Sequence, residues 1–270
     1  MKFKKIILLL IIFILLVIIN IYNSMTTNVT QTKVRTETLV SEKIDPSFDD
    51  YLIVFFSDLY YENEEKLVDV VNKINMVNPD LVIFGGDLLK DKDDNSTIAT
   101  ISEYLASIKA KDGKYAVYGE NDYLHLEAVN NIYQNSGFQV LVNEGLKLFN
   151  NTGAYINLIG LNSLSSILNV SDAFVDVSNG YTIVVSHEPD TYDYINYNFD
   201  YLLAGHSLGG ETYIPLINVF YRPFGANNYY HGKYYKEDNT IDVTNGLGLK
   251  EKTARFLADS EIVFYKLSSH

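Results

Sequence analysis

The sequence predicts an α/β fold: two mixed β-sheets packed together with helices outside, behind an N-terminal membrane segment. Three observations predict it. Short apolar runs alternate with amphipathic stretches through the first half of the chain, a βαβαβα rhythm. Strand patterns then dominate the second half. The chain also opens on lysines followed directly by an unbroken apolar run.

The opening comes first. Met1-Lys-Phe-Lys-Lys5 is basic, and Ile6 to Ile19 is apolar throughout, extended by Asn20-Ile-Tyr22. At ~1.5 Å per residue, about 17 apolar residues just span the hydrocarbon core of a bilayer. A cleaved signal peptide is the competing reading, but it needs a small-residue site after the run. Asn23-Ser-Met-Thr-Thr-Asn28 offers no such site. Lys2, Lys4 and Lys5 hold the amino end in the cytoplasm. The expectation is a single-pass cell-membrane protein, held by a signal-anchor, with its C-terminal domain extracytoplasmic. Residues 1–22 are then the anchor, 23–33 an Asn-, Thr- and Gln-rich linker, and 34–270 one domain.

Within that domain, residues 36–40 read as an edge strand. Leu52-Ile-Val-Phe-Phe56 and Leu81-Val-Ile-Phe84 are continuously apolar, as strands covered on both faces must be. Between them, apolar residues at 67, 70, 71 and 74 place one helical face over residues 64–77. Ile98, Ile101, Leu105 and Ile108 mark a second helix, with Ser96 as its expected cap. Tyr115–Tyr118 is a third strand, and Leu126, Val129 and Ile132 a third helix. Residues 155–159, 181–185, 201–203, 211–214 and 261–267 follow as strands.

Composition narrows the chemistry. A formal net charge of -13 repels a phosphate backbone and excludes general nucleic-acid binding. The absence of cysteine excludes disulfides, thiolate catalysis and cysteine-ligated zinc. Gly205-His-Ser-Leu-Gly209 matches the nucleophile elbow of serine hydrolases, which requires a helix straight after the serine. The β-branched stretch after it, broken by Pro215 with Pro223 close behind, cannot supply one.

The polar residues that follow the apolar strands are more informative. Ser57-Asp58, Gly85-Gly-Asp87, Gly119-Glu-Asn-Asp122, Ser186-His187 and Gly205-His206 each stand at the end of an expected strand. Ligand crevices of α/β sheets lie outside the carboxyl ends of their strands, so these tips are expected to converge. Carboxylates and imidazoles gathered there suit Zn, Mn or Fe.

Here the sequence resembles the calcineurin-like metallophosphoesterases, in particular their membrane-anchored bacterial branch. The resemblance rests on "NPDLVIFGGDLL", "YAVYGENDY", "LVNEG", "VVSHEPD", "YLLAGHSLGGETYIP", "NGLG" and "ARFLADSEIVFYKL", in the family's order from about Val34 to Leu267. It implies a four-layer αββα sandwich, a divalent-metal centre and hydrolysis of phosphoesters. It also makes Ser207 a bystander and His206 the residue that matters.

The resemblance implies as metal ligands Asp58, Asp87, Glu120, His187 and His206, with Asp58 and Asn121 beside the reacting group. The family's pattern is altered at several of its positions. Tyr60 stands for the histidine of the first-ion motif, Leu208 for the second histidine of the last block, Glu120 for an asparagine, and Asn121 for the catalytic histidine. Asp87, Glu120, His187 and His206 keep a complete second-ion set, while both first-ion histidines are gone. One well-held ion (Mn, Zn or Fe) is therefore expected rather than two. Two functions follow. One is a membrane-anchored extracytoplasmic phosphoesterase acting on envelope lipid or wall-polymer precursors. The other is a degenerate relative that binds a phosphorylated ligand or partner without turnover.

Overall fold

The computed structural model describes residues 2–25, 31–91, 94–210, 213–214, 218–219, 222–236, 238–250, 255 and 258–270. In chain order the elements are α1 (Lys2–Met25), β1 (Lys33–Val40), β2 (Leu52–Phe56), α2 (Glu64–Met76), β3 (Leu81–Phe84), α3 (Asn95–Ala106), β4 (Lys114–Ala116), α4 (Leu126–Ser136), β5 (Phe138–Val140), β6 (Glu144–Phe149) and β7 (Tyr155–Gly160). They continue with α5 (Val170–Ala173), β8 (Thr182–Ser186), β9 (Tyr201–Ala204), β10 (Tyr213–Ile214), β11 (Asn218–Val219), β12 (Gly232–Tyr235), β13 (Thr240–Val243) and β14 (Glu261–Ser268).

Two six-stranded mixed sheets form, in the orders β1-β14-β2-β3-β4-β5 and β12-β13-β9-β8-β7-β6. In the first, β2 to β5 are parallel, and β14 with β1 runs against them. In the second, β13, β9, β8 and β7 are parallel, with antiparallel β12 and β6 at the edges. Apolar side chains of the two sheets meet face to face, among them Phe55, Ile83, Val263, Leu158, Ile183 and Leu203. Helices α2, α3 and α4 cover the outer face of the first sheet through Leu67, Val70, Ile101, Val129 and Ile132. The second sheet's outer face is covered more lightly, by α5, a 3-10 turn over Pro189–Tyr194, and buried Phe174, Phe199 and Tyr229. Tyr229 packs edge-on against Tyr192 and Tyr234.

Two local expectations are corrected. The cap of α3 is Asp94, not Ser96: its carboxylate accepts the N–H groups of Ser96 and Thr97. Strand β4 ends at Ala116, so Val117 and Tyr118 already belong to the turn that leads to Gly119. Of the expected strand 211–214, residues 213–214 pair antiparallel with 218–219; residues 211 and 212 lie outside the described residues, as does part of the expected linker, 26–30. Helix α1 exposes Ile6 to Ile19 to solvent. Among the described residues no helix is long and apolar enough to cross a membrane.

One polar group is enclosed between the sheets. Asp242 on β13 is fully buried and takes Arg35 of β1 in a two-pronged ion pair at 2.9 and 3.0 Å. It also accepts the hydroxyls of Tyr201 on β9 and Tyr265 on β14, at 3.1 and 2.9 Å. Asp242→Ala leaves Arg35 its pairs with Glu37 and Glu261 but takes the acceptor from two buried tyrosine hydroxyls. It is expected to lower the unfolding free energy by about 1–3 kcal/mol, read as an earlier midpoint in urea denaturation.

Candidate metal centre

The strand tips turn sharply, and three candidate ligands take left-handed backbone to do so. Asp58 has φ 53°, Asp87 58° and His206 67°. Non-glycine residues in this region are uncommon and strained by roughly 1–3 kcal/mol, and such strain collects at functional sites. Glycines permit the close approach. A Cβ on Gly119 would lie 2.2 Å from Asp87 Oδ1, and one on Gly205 2.5 Å from Asp58 Oδ2. Loop tips from both sheets can thereby share one small volume.

One ligand atom from each of Asp87, Glu120, His187 and His206 falls within 4.8 Å of all the others. His187 Nε2 lies 3.2 Å from Asp87 Oδ2 and 3.0 Å from Glu120 Oε2. His206 Nδ1 is 2.9 Å from the same Glu120 oxygen and 3.2 Å from His187 Nε2. The opposite ring nitrogens fix the imidazoles. His187 Nδ1 meets the Gly85 carbonyl at 2.7 Å, and His206 Nε2 meets that of Phe224 at 2.8 Å. A carbonyl only accepts, so these nitrogens carry the protons and the inward pair presents lone pairs, as in metal-binding histidines.

The residues fit a divalent cation. Two lone-pair nitrogens 3.2 Å apart need a proton or a cation between them. Glu120 Oε2 is buried, 3.0 and 2.9 Å from the two inward ring nitrogens, and with both rings neutral it receives no hydrogen bond. Buried polar atoms are rarely left so. Two carboxylates and two imidazoles are a donor set suited to zinc, manganese or iron. Without a cation, protons take its place. Burial works to discharge His187, but Asp87, Glu120 and Asp58 hold its pKa well above the usual histidine value. His206 is raised as well, against its own burial, chiefly by Glu120. Burial alone would raise Glu120; the two imidazoles instead keep its carboxylate far below the normal range.

The remaining expected residues border this cluster. Asp58 is buried beside it, 3.9 Å from His187 Nε2. Both its oxygens accept the His206 N–H, and Ser57 donates its hydroxyl to Oδ2. Burial, reinforced by Asp87, pushes the Asp58 carboxyl pKa up. Asn121 donates its backbone N–H to Asp87 Oδ1 at 2.9 Å, while its side-chain amide turns to the Leu89 carbonyl at 2.6 Å. Tyr60 is buried and donates its hydroxyl to Asp87 Oδ2. Burial and the nearby carboxylates keep it a neutral phenol. Leu208 is buried and offers no donor. Ser207 is buried too. Its hydroxyl accepts only the Gly209 N–H, at 3.3 Å, and among the described residues no histidine–acid pair reaches it.

Three contributors were not foreseen. Asp122 accepts N–H groups from Asp87, Leu88 and Gly119, each at 2.9 Å. Its position closing the Gly119-Glu-Asn-Asp122 block was the visible signal. Lys250 reaches Glu120 Oε1 at 2.7 Å from a loop far along the chain. The Phe224 carbonyl left no trace in sequence. A groove of about 810 Å³, lined by Tyr181, Tyr201, Lys233 and Thr240, lies at the opposite ends of the strands and holds none of these groups.

Comparison with known proteins agrees with this geometry. Residues 51–210 match the model of the calcineurin-like phosphoesterases, and the chain belongs to that family. It is 28% identical over 246 residues to the uncharacterized metallophosphoesterase YkuE of Bacillus subtilis (strain 168), covering 86% of this chain and 84% of that one. It is 26% identical to the uncharacterized metallophosphoesterase YkoQ of the same organism, covering 89% and 92%. A Danio rerio protein described as a transmembrane protein with metallophosphoesterase domain is 27% identical, covering 82% of this chain and 54% of its own length. Among solved structures, Haemophilus influenzae NAD nucleotidase aligns with TM-score 0.47 and 15% identity, over 74% of this chain and 45% of that one.

The raised imidazole pKa values fix a sign. Protons occupy the ring nitrogens up to a higher pH than usual and must leave before a cation enters. Loading the metal-free protein at pH 7 is expected to release protons, and affinity to weaken as pH falls. Calorimetric titration in two buffers of different ionisation enthalpy measures the release.

Proposed function

We propose that this protein is a membrane-anchored, extracytoplasmic, metal-dependent phosphoesterase whose centre is mononuclear, with Asp87, Glu120, His187 and His206 as ligands. The observation that carries the reading is the convergence of buried Glu120 Oε2 on two imidazole nitrogens, at 3.0 and 2.9 Å, whose opposite nitrogens are held by carbonyls. Mn, Zn or Fe suits the donors. When bound, such a cation supplies Lewis-acid polarisation of the phosphoryl group and an activated water.

The chain's own residues do the rest. Tyr60, which stands where the family's pattern has a first-ion histidine, donates its phenolic hydroxyl to Asp87 Oδ2. Together with Leu208, this supports one cation rather than two. Asp58 and Asn121 enter the reaction as positioning residues. Asp58 holds the His206 turn through its N–H. Asn121 holds Asp87 through its own N–H, and its side-chain amide ties the Leu89–Lys90 segment. The organisation we infer is an anchor over residues 1–22, a linker over 23–33 and the metallophosphoesterase domain over 34–270. The exposed apolar side chains of α1 support the anchor, as does the description of the Danio rerio relative. Phosphoesters of the envelope, in lipid headgroups or wall-polymer precursors, are then within reach.

A second reading, a phospho-ligand binding module without turnover, is favoured by Asn121. Its amide donors are committed to backbone carbonyls, and an amide cannot deliver a proton to a leaving group. Loss of a general acid costs ~10²–10⁴ in rate.

Aryl phosphate mono- and diesters assayed with Mn, Zn, Fe and Mg separate the two. Metal-dependent hydrolysis that disappears in Asp87→Ala is expected; metal-dependent phosphate binding with no hydrolysis would establish the module instead. Elemental analysis of the purified protein is expected to give one ion per chain. The double variant Tyr60→His with Leu208→His, which returns both missing imidazoles, is expected to hold two. A wild-type protein already holding two would refute the mononuclear centre.

A further inference from the structure

The chain enters its sheets at the end that holds the metal-ligand cluster. Strand β1 runs parallel to β14, and β14 runs against β2, so both begin where β2 and β3 finish. Three hydrogen bonds join the entry point to the Asp58 loop. Lys33 N–H donates to the Ser260 carbonyl at 2.7 Å, Ser260 Oγ to the Leu247 carbonyl at 2.9 Å, and Leu247 N–H to the Ser57 carbonyl at 3.0 Å.

The loops of that same end carry solitary apolar tips. Leu124, two residues past Asp122, is 74% exposed, and Phe224, whose carbonyl orients His206, is 70% exposed. Ile167 is 78% exposed, on a loop whose carbonyl ties down the amides of Asn143 and Asn162 beyond β5 and β7. Exposure alone does not choose a face, because Phe149 and Tyr235 at the far end are 60% and 76% exposed. Connectivity does. Helix α1 continues past residue 22 to Met25, and from there to Lys33 the fully extended chain spans at most about 28 Å. Strand β1 is itself about 26 Å long. A connector of that reach keeps the near end closer than the far end to a bilayer in which α1 is anchored. To bring the far end there instead, it would have to run back along the whole of β1, with almost nothing to spare.

We propose that the face bearing the cluster is a membrane-docking surface, with Leu124, Ile167 and Phe224 seated in the headgroup boundary of a lipid bilayer. The cluster then opens onto the bilayer, and its substrate is a phosphoester presented at that surface. The inference rests on the reading of residues 1–22 as an anchor.

The chain has no cysteine, so single reporters can be placed without background. Leu124→Cys and Ile167→Cys report the near end, Phe149→Cys and Tyr235→Cys the far end, and Phe13→Cys the anchor. Each full-length variant is labelled with a small fluorophore and reconstituted in phosphatidylethanolamine–phosphatidylglycerol vesicles containing a headgroup-nitroxide lipid. Positions 124 and 167 are expected to lose most of their emission, while 149 and 235 keep theirs. Equal quenching at both ends, or the reverse pattern, overturns the docking surface while leaving the anchor intact if position 13 is quenched. An unquenched position 13 removes the anchor and the docking surface together.

Discussion

Asp122 is the constraint on which the centre depends. A fully buried carboxylate is costly unless its oxygens are satisfied. Here one oxygen accepts the N–H groups of Asp87 and Gly119, and the other that of Leu88. Burial and the charge of Asp87 push its pKa up to about 7, while those N–H donors favour the ionised form. The bonds clamp the turn after β3 to the turn after β4. Asp87 and Glu120, the two anionic ligands, come from those two turns. The left-handed φ of Asp87 persists because that clamp and the Asn121 N–H over-determine it. The second sheet contributes only imidazoles, each aimed by a carbonyl, so the anionic ligands are placed by the first sheet and the directed nitrogens by the second.

The altered positions do not leave a damaged site. Tyr60 fills its place with a buried phenol that bonds to Asp87, and Asp58 is satisfied by Ser57 and the His206 N–H. A carboxylate that would lack purpose without a first ion has become the brace of a histidine turn. Retention of Asp58 is thus explained by structure whatever the ion count.

The legible parts of the sequence were those where one physical pressure acts alone. Leu52–Phe56 and Leu81–Phe84 announce themselves because both faces are buried. Short β5, with exposed Gln139 at its middle, and edge strand β12, with little alternation, do not. Asp87, Glu120, His187 and His206 were readable as polar residues placed just after strands, and the fold gathers them. Ser96 was misread as a cap because the helix begins earlier, at Asn95, where the Asp94 carboxylate accepts the N–H groups of Ser96 and Thr97. The roles of Lys250 and the Phe224 carbonyl depend on tertiary approach between distant segments, which no local pattern encodes. Likewise, Asn121 reads as a site-facing amide until its turn is seen to aim it at Leu89.

The place of β14 has a consequence for biogenesis. This strand, made after every other described element, lies between β1 and β2 and pairs with β1 over its full length, Lys33 against Glu261 through Val40 against Ser268. The first sheet therefore cannot close while the ribosome still holds residues 261–268, and pairings this distant in the chain form slowly. Until then β1 and β2 each present an unpaired edge, open to mispairing.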